Sequence, residues 1–194
     1  NGAYERKQAL EQAATFRELG VVWLEEPVTS DDLEGLRLVR DRAPAGLEVT
    51  AGEYGWDAWY FRRMLEAGAV DVLQADATRC GGATGFRDAC ALGRAFGVAI
   101  SAHTAPTLHA HLGAATSVLR DVEYFHDHAR AEGLLFDGAL RARGGLLRPD
   151  RGRPGLGIEL RRRDAARFCV RREARTTGGR AGGRLRRWLE RSEA

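Results

Sequence analysis

The sequence predicts an α/β fold whose parallel strands close into a (β/α) barrel. A buried strand followed by an amphipathic helix recurs with a period of roughly 20–30 residues. Strands that alternate with helices in this way are parallel and are joined by right-handed crossovers. One ionisable residue also stands at the end of each predicted strand. In a barrel such residues converge on one mouth, whereas in a doubly wound sheet they would spread along an edge, so their repeated placement favours the barrel.

Apolar runs bounded by turn residues predict five strands, at residues 21–24, 47–51, 70–73, 98–102 and 122–125. The helical residues predicted to face inward are Leu10, Ala13, Phe16, Leu33, Leu36, Val39, Trp59, Phe61, Met64, Leu65, Phe86, Ala89, Cys90, Gly93, Phe96, Leu108, Leu112, Ala115 and Leu119. Ser30 or Asp31 can cap the second helix and Asp57 can cap the third. Gly20 and Gly97 are suited to end the first and fourth helices, because glycine adopts the left-handed conformation found there.

The residues at the ends of the five predicted strands are Glu25, Glu53, Asp76, His103 and Glu123. Glu25 and Glu53 are hard oxygen donors on successive strands, which suits Mg²⁺ because this ion prefers carboxylates and water. Zinc is less suited, since no set of histidines or cysteines accompanies them. Either glutamate alone could equally be a solvated or ion-paired strand end. Their matching positions are what favour a metal site.

Asp76 and His103 are predicted to lie on adjacent strand ends. A carboxylate beside an imidazole fixes its tautomer, raises its basicity and orients the ring, as a general base requires. The alternative interpretation is a structural histidine with a buried partner.

Other motifs indicate less chemistry. His109 and His111 are predicted to be structural, because residues two apart do not share a helical face. The HDH sequence at residues 126–128 is predicted to lie in a turn and is too short a cluster to favour a metal site. The glycine pair at 81–82 predicts a tight turn, since no GxGxxG or Walker pattern accompanies it.

Composition indicates a globular protein without membrane or disulfide features. Hydrophobic residues make up 44% of the 194 residues, and no apolar run reaches the ~18–20 residues of a membrane span. The three cysteines are widely spaced and form no CxxC motif, so a reducing, cytoplasmic location is expected. The net charge is +3, and arginine is dense between residues 161 and 191. We interpret this first as a compositional bias, with nucleic-acid binding as the second interpretation.

The chain is predicted to divide into three parts. Residues 1–137 form the barrel domain, and residues 138–170, rich in Gly, Arg and Pro at their start, form an extended segment that packs back on it. Residues 171–194 are an Arg/Gly-rich tail with little apolar surface to bury. Within the tail, disorder is predicted over 176–183 and a short basic helix over 184–190.

Five motifs together resemble the enolase superfamily, and in particular its mandelate racemase-like branch. They are WLEEP at 23–27, AGE at 51–53, ADATRCGG at 75–82, SAH at 101–103 and VEYFHD at 122–127. Each motif alone is short, whereas their order and spacing fit the family across about residues 1 to 160.

The resemblance implies a modified TIM-type barrel, a separate capping domain, and Mg²⁺-dependent abstraction of the proton α to a substrate carboxylate through an enediolate. The site residues that it implies are Glu25 and Glu53 as metal ligands, Glu26 as a support behind them, His103 and Asp76 as the base pair, and Glu123 as the acid that hydrogen-bonds the enediolate.

The resemblance also implies an incomplete barrel. The family's third metal ligand, its capping domain and about three barrel strands have no counterpart here, and residues 144–160 resemble the segment that returns to the capping domain. The expected function is dehydration of a sugar acid of the aldonate or aldarate type, and relatives of the full-length protein are often oligomers. Racemisation or epimerisation of a 2-hydroxy acid is the main alternative. Two further alternatives are an inactive fragment and a basic protein that binds nucleic acid through its tail.

Overall fold

Residues 1–170 are described by a computed structural model, in which a five-stranded parallel sheet is flanked by helices. The strands are β1 (Trp23–Glu25), β2 (Glu48–Ala51), β3 (Val72–Ala75), β4 (Ala99–Ala102) and β5 (Leu119–Val122). The helices of this part are α1 (Arg6–Glu18), α2 (Leu33–Arg42), α3 (Ala58–Glu66), α4 (Gly82–Phe96) and α5 (Pro106–Gly113). The sheet order follows the chain order and all four pairings are parallel, as the alternation of strands and helices predicts.

The centre of the sheet is buried. Val49, Leu73 and Ile100 lie on neighbouring strands and are fully buried, which is typical of a parallel sheet covered by helices. Phe61 from α3 and Phe86 from α4 are buried in the same core. This packed centre holds the strands rigidly, and therefore also the loops that follow them.

Most helix ends lie where capping residues predict them. Asp57 caps α3, and its side chain accepts a hydrogen bond from a first-turn N–H at 2.8 Å. Gly97 follows α4 with a φ of 69°. The prediction of Ser30 or Asp31 as the cap of α2 is wrong, because the side chain that reaches the first-turn N–H belongs to Asp32, at 3.0 Å.

Two aromatic residues predicted to face inward are instead exposed. Trp59 is 67% exposed, because Phe61 and Met64 occupy the buried face of α3 and a residue two positions before Phe61 points elsewhere. Phe96 is 44% exposed at the last position of α4.

The boundary between α5 and β5 also differs from the prediction. The helix ends at Gly113, so Ala115 lies outside it and Leu119 is the first residue of β5. A Cβ built on Gly113 would lie 2.2 Å from Cδ2 of Leu119. Leu119 thus packs into the space that is free because residue 113 has no side chain. Leu119 stands at helical spacing from Leu112 and Ala115, although it belongs to a strand. The strand predicted at 122–125 begins and ends three residues earlier.

The part of the chain after β5 contains a helix that the sequence did not predict. The turn predicted at residues 126–128 is wrong, because these residues begin α6 (His126–Leu135). Two short antiparallel strands, β6 (Phe136–Asp137) and β7 (Glu159–Leu160), then enclose a segment of turns. A last helix, α7 (Arg162–Ala166), follows. The predicted domain boundary at residues 137/138 coincides with the end of β6 and stays a prediction.

The predicted tail at 171–194, with its disorder and its basic helix, lies outside the described residues. Among residues 1–170, no helix is both long enough and apolar enough to cross a membrane.

Candidate active site

The five strand-end residues lie at one edge of the sheet. Glu25 is the last residue of β1, and the other four, Glu53, Asp76, His103 and Glu123, come one or two residues after their strands. Because all the strands are parallel, their carboxyl ends meet at the same edge. The structure therefore brings together the residues that the sequence singled out, while the roles assigned to them stay predictions.

His103 and Asp76 form a buried pair. Nδ1 of His103 lies 2.9 Å from Oδ2 of Asp76, and 8% and 2% of the two side chains are exposed. Since a carboxylate accepts, Nδ1 donates and Nε2 carries the free lone pair. Burial lowers the pKa of His103, but the Asp76 hydrogen bond and the charges of Glu53 and Glu123 raise it overall. For Asp76 the directions are reversed. Burial raises its pKa, but hydrogen bonds from His103 and Thr78 lower it below its ordinary value.

Glu53 faces the free nitrogen of His103. Its Oε2 lies 3.3 Å from Nε2 of His103, and its Oε1 lies 3.3 Å from Nη1 of Arg79. Nη1 of Arg79 also donates to the backbone carbonyl of Glu53 at 3.2 Å, and its guanidinium lies over the ring of Tyr54. The Glu53 carboxylate is thus held between two cationic or cation-forming side chains.

Glu123 closes the other side of the imidazole. Its Oε2 lies 4.0 Å from Nε2 of His103, and its Oε1 accepts a hydrogen bond from the Gln74 amide at 2.9 Å. Burial, followed by the charge of Glu25, raises the pKa of Glu123 to about 7. Oε2 of Glu123 is buried and has no hydrogen-bond partner among residues 1–170.

Glu26 lies behind the edge and is more buried than Glu25. It is only 2% exposed, and its Oε2 accepts from the Asn1 side-chain amide at 2.9 Å. Its backbone has a φ of 36°, in a region that non-glycine residues rarely occupy. Burial raises the pKa of Glu26, and Oε1 has no partner within the described part of the chain.

The chemistry of this donor set fits a hard divalent cation. Several buried or half-buried carboxylates share one edge, and such a cluster needs a proton or a positive charge to offset its mutual repulsion. Two of their oxygens, Oε1 of Glu26 and Oε2 of Glu123, lack partners among residues 1–170. In that same part of the chain no three His, Cys, Asp or Glu residues are arranged as a ready-made metal site. Glu25 and Glu53 belong to this cluster, since the negative charge of each raises the pKa of Glu123.

Backbone groups hold two of the remaining histidines. His109 is fully buried with both ring nitrogens bonded to backbone atoms, and Nδ1 of His111 donates to the Thr107 carbonyl at 2.8 Å. His126 and His128 lie on α6. The glycines at 81–82 have φ values of 90° and 76°, as the predicted tight turn requires.

The sequence did not single out Arg79, Gln74 or Thr78, although each contacts a site residue. Thr78 donates to Asp76 from both its backbone N–H and its hydroxyl, at 2.7 and 2.8 Å. Gln74 could have been found by strand periodicity, because residues 74 and 76 project from the same face of a strand. Arg79 stands inside the ADATRCGG motif, but its contact with Glu53 crosses from one loop to another and leaves no local signal.

Comparisons with known proteins identify the same architecture. Residues 1–165 match the family model described as enolase C-terminal domain-like. A mandelate racemase/muconate lactonizing enzyme-like protein from Rubrobacter xylanophilus is 53% identical with a TM-score of 0.81, over 86% of this chain and 46% of that one. L-Talarate dehydratase from Polaromonas sp. JS666, solved with Mg and L-glucarate, is 30% identical with a TM-score of 0.76, over 86% of this chain and 44% of that one.

A curated relative extends the comparison to a third enzyme. D-Gluconate dehydratase from Thermoproteus tenax is 31% identical over 169 residues, which are 84% of this chain and 33% of that protein. The chain thus spans less than half the length of each of these three proteins. Together the matches confirm the predicted incomplete barrel and the predicted resemblance.

Proposed function

Since the chain belongs to the enolase C-terminal domain-like family, we propose that the protein removes the proton α to the carboxylate of a sugar acid and dehydrates the acid through an enediolate. The observation that carries the proposal is the buried His103–Asp76 pair at 2.9 Å, whose free nitrogen faces Glu53 and Glu123. Because the chain spans less than half of its relatives, the activity is proposed for the full-length protein.

His103 is proposed as the base. Its Nδ1–H is held by Asp76, so Nε2 is the atom that takes the substrate proton. Asp76 is itself fixed by Thr78, which keeps the imidazole in one orientation. The imidazolium formed in this way can then return its proton to the β-hydroxyl, which leaves as water while the C–C double bond forms. The enol product tautomerises to a 2-keto-3-deoxy acid.

Glu25 and Glu53 are proposed to hold Mg²⁺, with the remaining ligands coming from water or from residues outside this chain. When bound, Mg²⁺ supplies positive charge that stabilises the negative charge developing on the substrate carboxylate. Glu26 supports this edge from behind through its bond to Asn1. The Mg and L-glucarate bound by the L-talarate dehydratase support both the metal and the class of acid.

Glu123 is proposed to act as the protonated acid and to donate a hydrogen bond to the enediolate oxygen. Gln74 occupies Oε1 of Glu123, so Oε2 is the oxygen left to face a ligand on the His103 side. A donor placed where charge develops stabilises the transition state more than the ground state.

Racemisation or epimerisation of a 2-hydroxy acid would use the same half-reaction. It needs a second base on the opposite face of the substrate, and none of the roles proposed here for Glu25, Glu53, Asp76, His103 and Glu123 is that of a second base. The dehydratase relatives at about 30% identity favour dehydration. An oligomeric full-length protein, an inactive fragment and nucleic-acid binding by the tail also stay predictions.

A panel of aldonates and aldarates tests the proposed reaction. The full-length protein should convert at least one acid to its 2-keto-3-deoxy product, and it should do so only with Mg²⁺ present. Formation of an epimer without keto acid would replace dehydration by epimerisation. No product from any acid, and no exchange of any α-proton with solvent, would refute the function.

A further inference from the structure

His109 is a buried residue to which the proposed reaction gives no role. It lies on α5 with 0% exposure. Its Nε2 lies 2.9 Å from the Ala77 backbone nitrogen, and its Nδ1 lies 2.7 Å from the Thr104 carbonyl oxygen. An N–H only donates and a carbonyl only accepts, so Nε2 accepts and Nδ1 carries the hydrogen. The two bonds therefore fix His109 as a neutral ring in a single tautomer.

The two backbone groups that His109 joins belong to different loops. Ala77 directly follows Asp76 at the end of β3, and Thr104 directly follows His103 at the end of β4. One imidazole thus connects the residues that come immediately after the two members of the buried pair. The separation of Asp76 and His103 depends on how these two loops are held relative to each other.

The second loop needs an external restraint. Thr104 and Ala105 have φ values of 51° and 37°, a left-handed conformation that is strained for non-glycine residues. Such a turn persists where its surroundings hold it. The bond from His109 Nδ1 to the Thr104 carbonyl is a restraint of this kind, and Phe86 supports the ring at a centroid distance of 5.2 Å.

We propose that His109 is a positioning residue, which sets the distance and orientation of the Asp76–His103 pair by bridging the backbone after each of them. Nε2 of His109 is 3.8 Å from Oδ1 of Asp76 and its lone pair is used by Ala77, so it does not donate to that carboxylate. The bridge acts on the loops rather than on the charges. The bridge concerns the geometry of the Asp76–His103 pair. Only its effect on catalysis rests on the proposed function.

NMR of the ¹⁵N-labelled full-length protein tests the bridge without any substrate. The readouts are hydrogen exchange at the Ala77 amide and the downfield resonance of the His103 Nδ1 proton. In His109→Leu, both bonds are lost, so we expect Ala77 exchange to accelerate about 3- to 10-fold and the His103 signal to shift and exchange faster. In His109→Gln, the side-chain carbonyl can still accept from Ala77, so smaller changes in the same direction are expected.

Phe86→Leu is the matched control, because it removes ring packing against His109 and leaves both hydrogen bonds. It should leave the His103 signal in place. An unchanged His103 signal in both His109 variants, or an equal shift in Phe86→Leu, would overturn the proposal; if His109→Leu does not fold, His109→Gln decides alone. A protein that turns over no acid but still shows this dependence would contradict the proposed function and not the bridge.

Discussion

Gly52 stands between β2 and Glu53, where the protein has no room for a side chain. Its φ is 129°, and a Cβ built there would lie 2.3 Å from the Gln74 carbonyl oxygen and 3.0 Å from Cδ1 of Leu73. The carbonyl is backbone of the neighbouring strand and cannot rotate away as a flexible side chain would. We therefore expect Gly52→Ala to push β2 and β3 apart next to Glu53.

The expected loss combines two effects. A strained backbone conformation costs about 1–3 kcal/mol for a non-glycine residue, and overpacking a dense interior costs about 1–3 kcal/mol. Gly52→Ala should thus lower the free energy of unfolding by about 2–6 kcal/mol. Urea denaturation of the full-length protein, followed by circular dichroism, measures this loss.

Gly97→Ala is the matched control for the steric part. Gly97 also has a positive φ, 69°, but beyond its own residue and its chain neighbours no described atom lies within 4 Å of the position that its Cβ would take. Only the conformational cost of about 1 kcal/mol is expected there. If Gly52→Ala destabilises the protein no more than Gly97→Ala, the close approach of β2 and β3 at this point is wrong.

Three further predictions follow from burial. Phe61→Ala should lower the free energy of unfolding by about 3–5 kcal/mol, whereas exposed Trp59→Ala should change it by less than about 1 kcal/mol in the same urea experiment; equal effects would contradict the observed faces of α3. Iodoacetamide should alkylate exposed Cys169 well before Cys80, whose pKa burial raises to about 11, as peptide mass spectrometry can check. Burial lowers the pKa of His109, so the unfolded chain takes up a proton near its ordinary pKa of about 6.5 while the folded protein does not. This difference leaves the free energy of unfolding unaffected above that pH and lowers it below that pH. Between about pH 7.5 and about pH 5.5, the urea midpoint should therefore fall less in His109→Gln, which lacks the titrating ring, than in the wild-type protein. An equal fall in both would contradict the prediction.

The five strands and the ionisable residue at or after the end of each could be predicted, although not their exact bounds, because these signals are local. Buried strands read as short apolar runs, and an ionisable residue immediately after such a run is visible without knowing the fold. α6 gave no such signal, since none of its residues is buried and no apolar stripe marks it. Leu119 gave a misleading signal, because it stands at helical spacing from Leu112 and Ala115 although it begins β5.

The site could be predicted only as far as one residue per strand. Sequence spacing does not encode how separate strand–helix units pack against each other. The contact of Arg79 with Glu53, and the bonds of His109 to two loops, depend on that packing. The adjacent Glu25 and Glu26 illustrate the same limit. Their different surroundings come from the unusual backbone at Glu26, with its φ of 36°, which the motif alone does not indicate.

Exchange of the substrate α-proton with solvent tests the central claim most directly. With Mg²⁺ and an accepted acid in D₂O, ¹H NMR should show the α-proton signal disappearing in the presence of the wild-type full-length protein. His103→Asn should slow this exchange by about 10²-fold or more, while His126→Asn, at an exposed position on α6, should leave it unchanged. Exchange at the wild-type rate in His103→Asn would contradict the assignment of His103 as the base.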